Sequence, residues 1–366
     1  MQPQQRVYWF RRLALAGALL AAAVVVLGAW VRLTDAGLGC PDWPGCYGHI
    51  YPNAGQAPAG QAGQASSGGA QPARTHFGKA LHEMIHRYFA GSLVLVITLL
   101  LAWTVRFRKD PGQPLIPVLL LFLIVCGQAA LGALTVTLLL KPLIVTAHLL
   151  GGLSTLALLW WLSLTPQTRA LGAREAGLRK YALAGAAVLI AQIALGGWTS
   201  TNYAAVACPD LPTCRNSWWP RMDYRDAFVL WRGLDVDYEG GVLANPARVA
   251  IHFTHRLGAV AAGTILIILG AVAWARGAAN RHSGANAQPA AANRRLSVAG
   301  RLLMFAVVLQ ISLGLATVHF GVPLPLATLH NAGAAFLVLS MVTVLRALWP
   351  APAAAMVPLP HADPSR

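Results

Sequence analysis

Eight apolar runs, each of about twenty residues, constrain this chain more than any other feature. They lie near 13–31, 83–104, 115–137, 143–164, 179–199, 250–275, 299–319 and 325–348. A helix of that length crosses a hydrocarbon core of roughly 30 Å. Inside lipid every backbone N–H and C=O needs an internal partner, and a continuous helix supplies one. The expected fold class is therefore all-α: a polytopic membrane protein with eight transmembrane helices.

The first run follows Arg11 and Arg12 and has the basic start of a signal peptide. Its length, and a second copy of it later in the chain, favour a membrane helix instead. Counting from a cytoplasmic N-terminus, 17 of the 28 Lys and Arg fall on the inner side but only 3 of the 12 acids. That bias predicts cytoplasmic N- and C-termini. It also accounts for the net charge of +16 without a nucleic-acid partner, because the positive charge faces anionic membrane lipid.

The chain is duplicated. Trp30 and Cys40-Pro-Asp-Trp-Pro-Gly-Cys46 recur 168 residues later as Trp198 and Cys208-Pro-Asp-Leu-Pro-Thr-Cys214. His86-Arg87 recurs as His255-Arg256, and Gln128, Thr135-Val136 and His148 recur after 182 residues as Gln310, Thr317-Val318 and His330. Four helices per repeat return the chain to the same side. The sequence thus predicts two tandem four-helix bundles related by a pseudo-two-fold along the membrane normal. The expected division is an N-terminal half over 1–165 and a C-terminal half over 166–275 and 299–349. A cytoplasmic linker over 276–298 and a disordered tail over 350–366 complete it. The Gly/Ala/Gln/Ser-rich loop at 54–72 reads as a flexible connection.

Four histidines sit in apolar helices at matched places: His86, His148, His255 and His330. One such histidine is commonly a hydrogen-bonded packing residue. Two pairs at equivalent repeat positions point instead to axial ligands of haem iron, each neutral nitrogen facing one side of a porphyrin. A bare zinc or copper site would need further donors that these helices lack. Arg87 and Arg256 follow two of the histidines and either pair with propionates or snorkel to the interface.

The repeats differ at one place of consequence. Helix 2 carries Glu83-Met-Ile-His86 where the second half has His252-Phe-Thr-His255. An i,i+3 spacing puts both side chains of each pair on one helix face. A carboxylate inside a membrane helix is costly, which makes Glu83 a functional candidate, with a water contact or helix cap as the plainer reading. His252 is expected beside the site or facing a propionate, and not on iron.

Cys40 with Cys46 and Cys208 with Cys214 lie on the outer face in this topology, where two local disulfides are expected. A loop staple and a redox role for Cys40–Cys46 both remain open. A zinc site made of all four would need the two loops to meet, which nothing in the sequence requires. Cys126 is expected to be a small buried apolar residue.

Together these segments resemble the haem A synthases of bacteria and mitochondria. The resemblance rests on Val31-Arg-Leu-Thr-Asp-Ala-Gly-Leu, Glu83-Met-Ile-His86-Arg87, Thr146-Ala-His148-Leu, His255-Arg256-Leu-Gly and Leu329-His330-Asn, and runs from Trp30 to His330. It implies haem B as resident cofactor on His255 and His330. It implies substrate haem O between His86 and His148, with a ring methyl oxidised to a formyl group to give haem A. It matches Glu83 to the catalytic carboxylate. Water as oxygen source, and electrons relayed through haem B, make up the expected mechanism. The resemblance also implies a bacterial inner membrane, with a haem O synthase and a terminal oxidase under assembly as neighbours, and leaves a homo-oligomer open. The alternative from another class is a quinol-linked electron-transfer cytochrome, against which Glu83 argues. A haem transporter would want a central polar path between the halves, and no broken helix or midplane charge supplies one.

Overall fold

The computed structural model describes residues 2–51, 73–110, 112–165, 173–234, 236–279 and 287–349. Among these residues it is all-helical. The elements are α1 (Pro3–Leu33), α2 (Ala73–Arg106), α3 (Leu115–Thr137), α4 (Pro142–Ser163), α5 (Ala173–Thr201), α6 (Tyr224–Ala227), α7 (Asn245–Ala279), α8 (Ala287–His319) and α9 (Leu324–Ala347). All but α6 are long and apolar enough to span a membrane, which gives the eight spans expected.

The helices outrun the apolar runs that announced them. α1 begins at Pro3 rather than near 13, α2 at Ala73, and α7 and α8 reach into the segment read as linker. Hydropathy marks only the part of a helix that lipid requires to be apolar, and polar turns continue it at no such limit. The expected loop at 54–72, the tail at 350–366 and the middle of the linker, 280–286, lie outside the described residues. The single-turn α6 had no sequence signal; Asp223 caps it by accepting from the backbone N–H of Arg225 at 3.0 Å and Asp226 at 3.2 Å.

Each half closes as a ring of four helices. In the first, α1 packs on α2, α2 on α3, α3 on α4 and α4 on α1; in the second the ring is α5, α7, α8 and α9. The halves meet through α1 on α9, α4 on α5 and α4 on α9, the reciprocal pairs that a two-fold axis between them requires. Left-handed backbone positions recur with the sequence offsets: Asp35 with Tyr203, Tyr47 with Arg215, Gly48 with Asn216, Leu139 with Gly321 and Leu140 with Val322. Non-glycine residues enter that region only when their surroundings hold them there.

With lipid as solvent, association rests on close packing rather than on escape from water. Gly270 of α7 and Gly300 of α8 face each other where an added Cβ would meet backbone, so the two helices approach closely. Large apolar side chains point outward instead, among them Leu95, Ile116, Val260 and Phe305. Cys126 belongs with these. It is exposed, contrary to expectation, because Val118, Leu121 and Val125 take the buried face of α3.

Candidate functional site

The four histidines stand on diagonal helices of the two rings: His86 on α2 and His148 on α4, His255 on α7 and His330 on α9. Each imidazole rests against a glycine of the neighbouring helix. An added Cβ at Gly28, Gly196 or Gly314 would stand 3.0, 3.1 or 3.0 Å from Cε1 of His86, His255 or His330, and one at Gly132 would stand 3.5 Å from Cε1 of His148. Gly28 and Gly196 are 168 residues apart, Gly132 and Gly314 182 apart. The repeat offsets mark these glycines in the sequence as they mark the histidines.

His255 and His330 line one cavity of about 1130 Å³, with His252, Arg256, Gly196 and Gly314 also in its wall and Val25, Arg32 and Leu149 of the first half closing another side. That is above the usual range of a small-molecule site and ample for a large flat ligand. Nδ1 of His86, His148 and His330 is buried with no hydrogen-bond partner among the described residues. Haem suits this donor set: paired imidazoles facing across a bundle, ring faces cleared by glycines, and an apolar wall. No cluster of three or more His, Cys, Asp or Glu able to hold a bare metal ion occurs among the described residues.

Glu83 is 4% exposed. Its Oε1 accepts from Nη2 of Arg87 at 2.5 Å, and its Oε2 accepts from the backbone N–H of Cys40 at 3.0 Å. Gly39 lies against the α2 backbone at Ala80, with no room for a side chain, and this close approach brings the Cys40 amide to the carboxylate. The carboxylate is therefore held by one charge and one amide, one turn from His86. In the second half His252 is equally buried, and its Nδ1 lies 3.0 Å from the carbonyl oxygen of Ala204.

Both arginines hold the cysteine-bearing loops. Nη1 of Arg87 donates to the carbonyls of Asp42 (2.9 Å) and Gly45 (2.6 Å). Arg256 does the same to Asp210 (3.0 Å) and Thr213 (2.9 Å), and its Nη2 donates to Cys208 (2.6 Å). Each of these loops is closed by a disulfide, Cys40–Cys46 and Cys208–Cys214. The cysteines thus form two local bridges, as expected, and each bridged loop is tied by an arginine to the helix that carries a histidine.

Residues 11–342 match the COX15-CtaA family, described as cytochrome oxidase assembly proteins. A haem A synthase of Shewanella oneidensis is 39% identical over 345 residues, covering 93% of this chain and 96% of that protein. The chain belongs to the COX15-CtaA family. Two further relatives, haem A synthases of Halalkalibacterium halodurans and Rhizorhabdus wittichii, are each 27% identical, over 72% and 88% of this chain. Membership extends across both four-helix rings, so it embraces all four histidines and Glu83.

Proposed function

We propose that this protein is a haem A synthase, oxidising a ring methyl of haem O to a formyl group. The observation that carries the reading is the asymmetry between two otherwise matched sites: one repeat has the buried Glu83 beside His86, the other His252 beside His255. A protein that only relays electrons needs two equivalent haem sites and no buried carboxylate, which disfavours the cytochrome alternative. In this reading His86 and His148 bind haem O, and His255 and His330 bind haem B.

The conversion of a methyl group to a formyl with water as oxygen source releases four protons and four electrons, the electrons passing one at a time to an external one-electron acceptor. Haem B, when bound, supplies a one-electron relay out of the first half. Glu83 faces positive charge developing at the methyl carbon, or takes one of the protons, and both roles suit a carboxylate in a low-dielectric site. Arg87 holds that carboxylate in place, so the side chain is pre-set before substrate enters. Cytoplasmic termini, Cys-bearing loops on the outer face and a place in the bacterial inner membrane belong to the same proposal. So does work alongside a haem O synthase and a terminal oxidase.

Extraction and chromatography of the bound haems, from protein expressed with and without a haem O supply, tests the reading. Haem B together with haem A or its hydroxylated precursor, the latter only with the supply, is the expected result. Glu83→Gln retains haem but accumulates haem O or the precursor. Haem B alone under both conditions would favour the electron-transfer cytochrome.

A further inference from the structure

Arg11 of α1, Arg179 of α5 and Arg346 of α9 gather where the two halves meet, at the end of the bundle away from the disulfide-closed loops. Nη1 of Arg11 donates at 3.2 Å to the hydroxyl of Thr165, just past the end of α4. The Arg346 guanidinium lies 4.7 Å over the ring of Trp161, in the last turn of α4, so α9 reaches across to the first half. Trp161 meets Trp349 edge-on at 5.9 Å, and the Arg179 guanidinium lies 5.1 Å over the Trp349 ring. One cluster thus joins α1 and α4 to α5 and α9. Arg11 and Arg179 are 168 residues apart, the offset that relates Trp30 to Trp198, so they are repeat equivalents on the two sides of the seam.

These cations lack the partners that other arginines have. Arg6, on the same face, is paired with Asp110 at 3.0 Å, and at the other end of the seam Arg32 is paired with Asp35 at 3.2 Å. Among the described residues no carboxylate pairs with Arg11, Arg179 or Arg346. Nε of Arg346 is buried without a hydrogen bond among them. Glu175, whose side chain lies outside the described residues, stands one helical turn before Arg179; counting it, the three arginines still carry excess positive charge. A guanidinium stacked on an indole keeps its in-plane N–H groups for another partner, and its planar fork fits two oxygens of a phosphate.

The setting selects the kind of phosphate. All three arginines are half-buried at helix ends, among spans long and apolar enough to cross a membrane. Tryptophans at that level belong to the membrane–water boundary, and basic pockets between membrane helices there take lipid headgroups. A lipid also brings acyl chains that lie along the apolar helices, which a free anion does not.

We propose that this cleft binds the phosphodiester headgroup of an anionic phospholipid, which supplies the negative charge that the seam lacks and ties the two halves together. Equivalent arginines on either side of the axis suit a headgroup with two phosphates, so diphosphatidylglycerol is the probe. The site involves none of the histidines and stands whatever they bind.

The full chain, delipidated in a non-ionic detergent, is titrated with diphosphatidylglycerol, and the bound species are counted by native mass spectrometry. Saturable binding is expected, and none with zwitterionic phosphatidylcholine. Arg11→Gln with Arg346→Gln weakens it about 25-fold, roughly fivefold for each cation removed from beside a headgroup. Arg106→Gln with Arg108→Gln removes the same charge from the same face, away from the cleft, and leaves the affinity at its parental value. If the first double variant does not elute as the parent does, Arg11→Gln and Arg346→Gln are read singly, at roughly fivefold each. Parental affinity in the cleft variants, or an equal loss in the charge-matched pair, overturns the inference. So does equal binding of phosphatidylcholine, or inorganic phosphate that displaces the lipid at equal concentration, which would mark a free-anion site.

Discussion

Asp35 accepts a 2.7 Å hydrogen bond from the hydroxyl of Tyr203, the residue that holds its own place 168 positions later in the second repeat. The neighbouring pair does likewise: Nη2 of Arg32 donates at 2.7 Å to the carbonyl of Ser200, its repeat counterpart. The Arg32 guanidinium also lies 4.3 Å over the Tyr203 ring. Equivalent residues can touch only where a two-fold axis passes between them, so these bonds sit on the seam of the halves. Duplication first makes the two positions equal, and divergence then makes them complementary.

Tyr203→Phe removes the donor and keeps the ring under Arg32. A loss of about 0.5–1.5 kcal/mol is expected, the usual net worth of one hydrogen bond. Thermal unfolding in detergent measures it. An unchanged melting temperature would show that the seam is held by helix packing alone.

Gly28→Ala and Gly196→Ala place a methyl 3.0 and 3.1 Å from the imidazoles of His86 and His255. The rings must shift, at about 1–3 kcal/mol for overpacking, and haem content should fall in the half that is altered. Gly91→Ala is the control, because an added Cβ there meets nothing within 4 Å. Equal haem-to-protein ratios in all three variants would refute the cradle.

Lys141, 1% exposed, is the N-cap residue of α4. Its Nζ donates to the carbonyl of Gly233 and lies 3.5 Å over the Trp231 ring, and nearby the Tyr238 N–H donates to Leu139 at 3.2 Å. One cation thus fastens the loop between α6 and α7 to the first half. Lys141→Met keeps the apolar stem and leaves Gly233 without its donor, a loss of about 1–3 kcal/mol. Hydrogen exchange should rise at 231–234 and around Tyr238, and protection equal to the parent's would show that the loop holds without it.

Asp210 gives the Cys208–Cys214 loop an acid limit. The Thr213 hydroxyl, then the backbone N–H groups of Asn216 and Arg215, hold its carboxylate and lower its pKa from 3.8 to about 2, against a smaller opposing effect of desolvation. The folded pKa lies below the unfolded one, so the stabilisation is complete above about 3.8 and is lost as pH falls through about 2. Trp219, stacked edge-on against Phe253 at 5.6 Å, reports the loop by fluorescence. The change between those pH values should flatten in Asp210→Asn, and an acid response identical to the parent's would place its origin elsewhere.

The eight spans, the duplication and the four histidines were all legible in the sequence, and for physical reasons. Lipid forces an apolar run into a helix, and the repeat turns one notable histidine into two matched pairs. The Glu83–His252 asymmetry needed only that alignment. What the residues touch did not follow. A helix that is apolar all round shows no preferred face, so the chain could not reveal that Cys126 points outward or which glycines face the imidazoles. Arg87 and Arg256 could equally have turned to a ligand, to the membrane surface or to the loop carbonyls they hold. Nor could a sequence offset show that Asp35 meets Tyr203, since equal place in two repeats does not fix where the axis between them runs. Sequence settled which residues correspond because correspondence is a property of order along the chain; tertiary packing decided which of them meet, because that depends on how the two rings of helices are set against each other.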